Sequence, residues 1–246
     1  SSKTSDASAY PNASPVLSSI QSQTINEDKS LTITLNATDA DDDAITYSAK
    51  SDTSAVAASV SSTTLTLTPS THWNGTANIK AYASDGTLKD STTFSLTVTA
   101  VNDAPVITAV SNDSTNEETE KVIKLSGSDI DGDALTYTAS SDTSAVTITI
   151  STDTLKLNPG LNYTGTSVIT VVVSDNVLTD TTKFDFKVIN VNDAPVIAAV
   201  ANDTTSEDSD GKALKLSASD IDGDALTYSA VSDTLGLTVT VSNDTV

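Results

Sequence analysis

The sequence predicts an all-β chain: tandem seven-stranded antiparallel β-sandwich modules in a linear array, the third module incomplete. Three observations lead there. Pro15, Pro105 and Pro195 recur at intervals of 90 residues in similar contexts, and self-similarity at a fixed period marks an array of structural modules. Within each period apolar side chains alternate with polar ones, which is the pattern of a half-buried strand and not of a helix. Clusters of Asp, Asn, Gly, Ser and Pro interrupt these runs about every 8–12 residues, the spacing expected of a two-sheet sandwich.

The elements follow in order. A first strand starts at Pro15 and ends in the turn cluster Asn26-Glu27-Asp28. Leu31, Ile33 and Leu35 then alternate with Thr and Asn. The loop Asp39-Ala40-Asp41-Asp42-Asp43 separates them from Ile45, Tyr47 and Ala49. Leu65 and Leu67 belong to a later strand, followed by the turn Trp73-Asn74-Gly75. Ile79, Ala81 and Ala83 lead to the turn Ser84-Asp85-Gly86, and Phe94, Leu96 and Val98 close the module. Thr and Val richness suits strands, and no stretch reads as a helix.

The same landmarks return one period later as Glu117-Glu118, Asp129, Asp131, Asp133 and Ser174-Asp175. They return again as Glu207-Asp208, Asp220, Asp222 and Asp224, the last three displaced by a one-residue insertion near Gly211. The expected organisation is an N-terminal lead segment 1–14, modules 15–104 and 105–194, and a partial module 195–246. Val246 aligns with Leu155, so the third copy should hold its first four strands and the start of the fifth. Lacking the last two, it would expose a core face and an open edge. Either the polypeptide continues, or another chain completes the module by strand complementation.

Charge narrows the function. The 246 residues carry 33 acids against 12 bases, a formal net charge of −21; every base is Lys, and Cys, Met and Arg are absent. Nucleic acid is excluded as a partner, because phosphate binding needs clustered cations, and an anionic membrane surface would repel the chain. Disulfides, Cys-ligated zinc, iron–sulfur clusters and thiol nucleophiles go with the cysteines. His72 is the only histidine, which removes multi-His metal sites. No apolar run approaches the roughly 18 residues of a membrane helix. Without an initiator Met or a signal peptide, the chain reads as processed or as a fragment.

Strand parity places the acids. If the first strand of a module runs down, Glu27 and the linker Val101-Asn102-Asp103-Ala104-Pro105 lie at the bottom, while Asp39, Asp41, Asp43 and Asp85 lie at the top. The bottom of module one then meets the top of module two, which presents Asp129, Asp131, Asp133 and Asp175. Unneutralised, such a convergence is repulsive. Ca²⁺ takes six to eight oxygen ligands in flexible geometry, which suits Asp/Asn loops. Solvated turns would also be Asp-rich, but not four elements meeting in register. Asp129-Ile130-Asp131-Gly132-Asp133 is not an EF-hand: its Gly falls at position four, Ser140 stands at position twelve, and the flanks read as strands.

These are also the residues through which the chain resembles a known family. Asn26-Glu27-Asp28, the Ala-Thr-Asp-Ala-Asp of 37–41, the Ala-Ser-Asp-Gly of 83–86 and the Val-Asn-Asp-Ala-Pro-Val of 101–106 look like cadherin motifs in cadherin order. The whole module, with Trp73-Asn74-Gly75-Thr76 and the Asp-Gly-Asp-Ala-Leu-Thr-Tyr of 131–137, is similar to the bacterial cadherin-like/Ig-like tandem repeats of large surface adhesins and extracellular matrix proteins. That resemblance implies calcium ligands at the first junction from Glu27, Asn102 through its carbonyl, Asp103, Asp129, Asp131 and Asp175. At the second it implies Glu117, Asn192, Asp193, Asp220 and Asp222, with Asp133 and Asp224 on the same loops. The acidic Leu-Asp-Arg-Glu element of animal cadherins is absent, its place taken by Thr68-Pro69-Ser70-Thr71, which implies fewer ions per junction. The linker before Pro15 lacks its Asp, so a site using Asp39, Asp41 and Asp85 would be incomplete.

Other chemistry carries less. His72-Trp73 becomes Asn162-Tyr163 one period later and reads as a turn aromatic plugging the sandwich bottom. Paired carboxylates can run glycoside hydrolysis, but these repeat identically at metal spacing and lack stacking aromatics, so no enzyme is expected. The resulting expectation is a calcium-rigidified, extracellular, cell-surface rod segment of an adhesin, with calcium ions as its cofactor. Two alternatives stand beside it. One is a subunit of a self-assembling extracellular filament or surface layer with homotypic chain–chain contacts. The other is a carbohydrate-binding accessory to a secreted enzyme, with a surface glycan as partner.

Overall fold

A computed structural model describes residues 11–246, so ten residues of the expected lead segment lie outside the described residues. The chain divides into two compact units, Ser1–Asp103 and Ala104–Val246. Both are all-β; among the described residues there is no helix, and none long and apolar enough to cross a membrane.

The first unit contains β1 (Val16–Leu17), β2 (Gln23–Asn26), β3 (Leu31–Thr34), β4 (Ala37–Thr38), β5 (Thr46–Ser51), β6 (Val56–Ser61), β7 (Thr64–Pro69), β8 (Gly75–Ser84) and β9 (Lys89–Thr99). One sheet has the order β2-β9-β8-β5 and the other β3-β7-β6, with β1 paired to β4. The nine elements are seven strands, of which the first (β1, β2) and second (β3, β4) are each broken. The sandwich is not wholly antiparallel, however: β2 pairs parallel with β9, Gln23 opposite Leu96 and Asn26 opposite Thr99. The cause is parity, because in a seven-stranded up-and-down order the first and last strands run the same way, and the first breaks after β1 to reach the last.

Alternation delivers the core. Leu65 and Leu67 of β7, Ile79, Ala81 and Ala83 of β8, and Leu96 of β9 are all fully buried. Ile79 stands opposite Phe94 across β8 and β9, and Leu31 and Ile33 stand opposite Leu67 and Leu65. Each fully buried Leu or Ile contributes about 1.5–3 kcal/mol. Trp73 packs against this cluster from the turn before β8. Its ring explains Gly75: a Cβ there would lie 2.9 Å from Trp73 Cζ2, at a φ of +145°.

The second unit repeats the plan with β10 (Val106–Ile107), β11 (Asp113–Asn116), β12 (Lys121–Lys124), β13 (Gly127–Ser128), β14 (Thr136–Ser141), β15 (Val146–Ser151), β16 (Thr154–Pro159), β17 (Gly165–Ser174) and β18 (Thr179–Ile189). The orders β11-β18-β17-β14 and β12-β16-β15 match, with β11 again parallel to β18. Leu155, Leu157, Ile169, Val171, Val173 and Phe186 form its core.

Residues 195–246 fold only in part. β19 (Val196–Ile197) pairs with β20 (Ala218–Ser219), as β10 pairs with β13. Leu216 N–H donates to the Asp244 carbonyl, and Leu214 and Val246 exchange two backbone bonds, as in the β12–β16 ladder. The expected third and fourth strands are not formed: residues 225–241 contain no strand, although Leu226-Thr227-Tyr228 repeats the sequence at the start of β14. In the complete repeat the main partner of β14 is β17, and within 195–246 nothing corresponds to it. A strand-competent sequence without a hydrogen-bonding neighbour stays irregular.

Candidate metal centres

Glu27 and Glu117 follow β2 and β11, and the parallel pairing of those strands with β9 and β18 brings them to the linkers. Glu27 Oε1 accepts the Val101 N–H at 2.6 Å, and Glu117 Oε1 accepts that of Val191 at 2.7 Å. Both residues are buried, 3% and 6% exposed. Glu27 Oε2 is buried without a hydrogen-bond partner. The next residue, Asp28 or Glu118, takes a φ near +60°, which turns the chain sharply at the module end. Asn102 and Asn192 donate their side-chain amides to the carbonyls of Asp103 and Asp193, both at 2.9 Å.

The Asp-rich loops are self-organised. Asp39 Oδ1 accepts the Asp41 N–H at 2.9 Å. Asp129 Oδ1 accepts from Asp131 and Asp133 at 2.9 and 3.3 Å, and Asp220 Oδ1 from Asp222 and Asp224 at the same distances. These turns bring ligand atoms of Asp39, Asp41 and Asp43 within 4.8 Å of one another, and likewise those of Asp129, Asp131 and Asp133. Asp39 Oδ2 and Asp129 Oδ2 are buried without a hydrogen-bond partner. Asp85 and Asp175 each commit Oδ1 to two N–H groups of their own turn, those of residues 87 and 88 and of residues 177 and 178. Those bonds hold the Asp85 carboxyl below its ordinary value.

Within the second unit the turn, the linker and an Asp loop converge. Ligand atoms of Glu117, Asp193 and Asp222 lie within 4.8 Å of one another, and the Asp193 N–H donates to Asp222 Oδ2 at 2.6 Å. Desolvation and then the charges of Asp222, Glu118, Glu117 and Asp220 push the Asp193 carboxyl up. Asp220 therefore acts on this centre through its field, while Asp224 lies outside the convergent group. At the start of the first unit the corresponding linker residue is Ala13, whose N–H donates to Asp41 Oδ2 at 2.7 Å; Asn12 donates to Asp85 Oδ2 at 2.9 Å. The backbone contact persists there without a linker carboxylate.

Sequence reasoning passed over one group. Ligand atoms of Asp28, His72 and Asp103 lie within 4.8 Å of one another. His72 Nδ1 is 2.7 Å from Asp103 Oδ2 and 3.5 Å from Asp28 Oδ2, and the His72 N–H donates to Asp28 Oδ1 at 3.0 Å. The Asp103 hydrogen bond pushes the imidazole up. One period later Asn162 holds the same place: its amide, oriented to satisfy both groups, donates to Asp193 at 3.1 Å and Glu118 at 3.0 Å. The joint 90-residue recurrence of Asp28/Glu118, His72/Asn162 and Asp103/Asp193 was the available signal.

Comparison with known proteins follows the same division. Residues 11–99 match the cadherin-like domain family and residues 102–187 the bacterial Ig domain family. No curated protein sequence matches the chain. Solved structures similar to it include human protocadherin-24 EC1-2 (17% identity over 72% of this chain and 100% of that one, TM-score 0.46). Others are the titin domains Z1Z2 in complex with telethonin (15%, 74% and 100%, TM-score 0.33) and an endo-fucoidan hydrolase of glycoside hydrolase family 107 (22%, 72% and 29%, TM-score 0.34). The chain thus spans less than a third of that hydrolase.

Proposed function

From a chain that carries a cadherin-like domain followed by a bacterial Ig domain, we propose a calcium-stabilised structural segment of an extracellular, cell-surface adhesin, non-catalytic, with repeats at 15–104, 105–194 and 195–246. The observation that carries this reading is three carboxylate oxygens buried without a hydrogen-bond partner: Glu27 Oε2, Asp39 Oδ2 and Asp129 Oδ2. Burying an ionised oxygen unpaired is costly. The groups that Asp39 and Asp129 form with Asp41 and Asp43 and with Asp131 and Asp133 offer only oxygens, the donor set of a hard cation.

The holding residues in the second unit are Glu117, Asp193 and Asp222, supported by Asn192, Asp220 and Asp224. By the repeat, Glu27, Asn102 and Asp103 of the first unit offer the ligand types of Glu117, Asn192 and Asp193, and Asp129, Asp131, Asp133 and Asp175 offer those of an Asp loop and its neighbouring turn. Asp39, Asp41 and Asp85 form a poorer set, because Ala13 stands where a linker carboxylate would. A bound calcium ion supplies the positive charge that these acids lack. The protein's own part is to pre-position the ligands: the Val191 N–H fixes one Glu117 oxygen, the Asp193 N–H fixes one Asp222 oxygen, and the Asp220 turn holds the loop. Ligation would then tie turn, linker and loop together and resist unfolding and proteolysis. Limited proteolysis in calcium and in chelator tests this: protection of the linker around Asp193 by calcium is expected, and equal cleavage in both sinks it.

One observation favours a second reading, a subunit of an extracellular assembly in which another chain completes residues 195–246. Val231, Leu235 and Leu237 are exposed there, the first two almost entirely, beside segments without strand neighbours. Strands further along the same polypeptide would cover them equally well. Electron microscopy of the protein in calcium separates the two: ordered polymers support the assembly, and their absence at high concentration counts against it.

A further inference from the structure

Among the described residues, the Asp28–His72–Asp103 group is chemically unlike the other acidic groups. The others offer only oxygens, which suit calcium. This one adds the only imidazole in 246 residues, and imidazole favours zinc, copper and nickel over hard cations. We propose that Asp28, His72 and Asp103 form a binding site for a borderline divalent metal of the zinc class, present in the first repeat and not in the second.

The geometry is assembled before any metal arrives. His72 sits at a φ of +53°, held there by its N–H to Asp28 Oδ1. Its ring nitrogen Nδ1 faces a carboxylate oxygen on each side, at 2.7 and 3.5 Å. Zinc binds imidazole nitrogen and carboxylate oxygen at about 2.0–2.2 Å in tetrahedral geometry, so its ligand atoms lie roughly 3.3–3.6 Å apart. The Asp28 spacing already meets that, and the Asp103 oxygen needs to retreat by under 1 Å as the imidazole releases its hydrogen bond. The three side chains are 32–39% exposed, leaving room for water at a fourth position. Buried Glu27 precedes Asp28 in the turn and adds negative charge felt by the imidazole.

The second repeat supplies an internal control. Glu118, Asn162 and Asp193 keep the bridge between turn and linker, but an Asn amide is a poor zinc ligand. A purely structural bridge needs no imidazole, and Asn162 performs it without one. The zinc site shares Asp103 with the calcium reading, but Asp28 and His72 play no part in that ligand set, so substituting His72 separates the two.

The test titrates zinc alone, by calorimetry, into the calcium-free 246-residue chain and into two variants, while NMR follows the single imidazole. The wild type is expected to bind one zinc ion with a shift of the His72 ring nitrogens. His72→Asn, which installs the residue the second repeat uses, should weaken binding roughly tenfold or more and leave calcium binding unchanged. Asn162→His should raise the stoichiometry from one to two. Unchanged zinc affinity in His72→Asn, unmoved imidazole resonances, or a stoichiometry still at one in Asn162→His would each overturn the proposal. Failure of calcium binding with zinc binding intact would overturn only the calcium reading.

Discussion

Replacing Glu27 by Gln should change the sign of its effect with the medium. The Gln carbonyl can still accept the Val101 N–H that Glu27 Oε1 accepts at 2.6 Å, and the volume is nearly unchanged. What disappears is a negative charge on a residue 3% exposed, one of whose oxygens has no partner. Leaving such a group unsatisfied costs about 1–3 kcal/mol. In chelator Glu27→Gln should therefore be neutral or more stable by about 1 kcal/mol, which for a domain near 100 residues raises Tm by about 4 °C. In calcium the order reverses. At a calcium concentration a hundredfold above Kd the wild type gains about 2.7 kcal/mol, or roughly 10 °C, while the variant, short of one ligand charge, gains a small part of this. Differential scanning calorimetry in calcium and in EDTA reads both. Equal calcium shifts in the two proteins, or a variant clearly less stable in EDTA, would refute the reasoning.

Two further predictions follow from local geometry. Gly75→Ala places a Cβ 2.9 Å from Trp73 at a φ of +145°, whereas Gly165→Ala meets Tyr163 at 3.3 Å; both should lower Tm, the first more, by about 1–3 kcal/mol of strain, and equal melting curves would contradict this. The Asp193 carboxyl is raised above 3.8, so its contribution to stability is fully present below that pH and is lost as pH rises through the raised folded value. Asp113, lowered by its bond to Lys121, works the other way, its contribution lost as pH falls. In EDTA, Asp193→Asn should thus gain stability relative to the wild type as pH rises from about 4, while losing most of the calcium response at neutral pH. A constant difference across the pH range would argue that the carboxylates do not repel.

Much of the fold could be read from the residues because a sandwich writes its pattern locally. Alternation at Ile79, Ala81 and Ala83 or at Phe94, Leu96 and Val98 names the inward face directly, and the 90-residue recurrence supplies the module. The break between β1 and β2 leaves no such trace, since it arises from which sheet each half of the first strand joins. Nor could residues 225–241 be judged from sequence, because alternation records competence to pair and not the presence of a partner. At the candidate centres, Glu27 and Glu117 stood out through the repeat, yet their burial comes from β2 and β11 pairing with strands 73 positions away. The Asp85 and Asp175 side chains turned out to spend one oxygen on their own turns. His72 was discounted because Asn162 replaces it one period later; its partners, Asp28 and Asp103, lie 44 and 31 residues away in sequence.

The central claim is that the excess acid of this chain is a set of calcium ligands. Isothermal titration of calcium into the chelator-treated protein at neutral pH, with magnesium in excess as competitor, tests it most directly. Saturable calcium binding that magnesium does not displace, and that Glu117→Gln and Asp193→Asn each diminish, is the predicted result. A titration showing no heat beyond dilution, or one that magnesium abolishes and both variants leave intact, would contradict it.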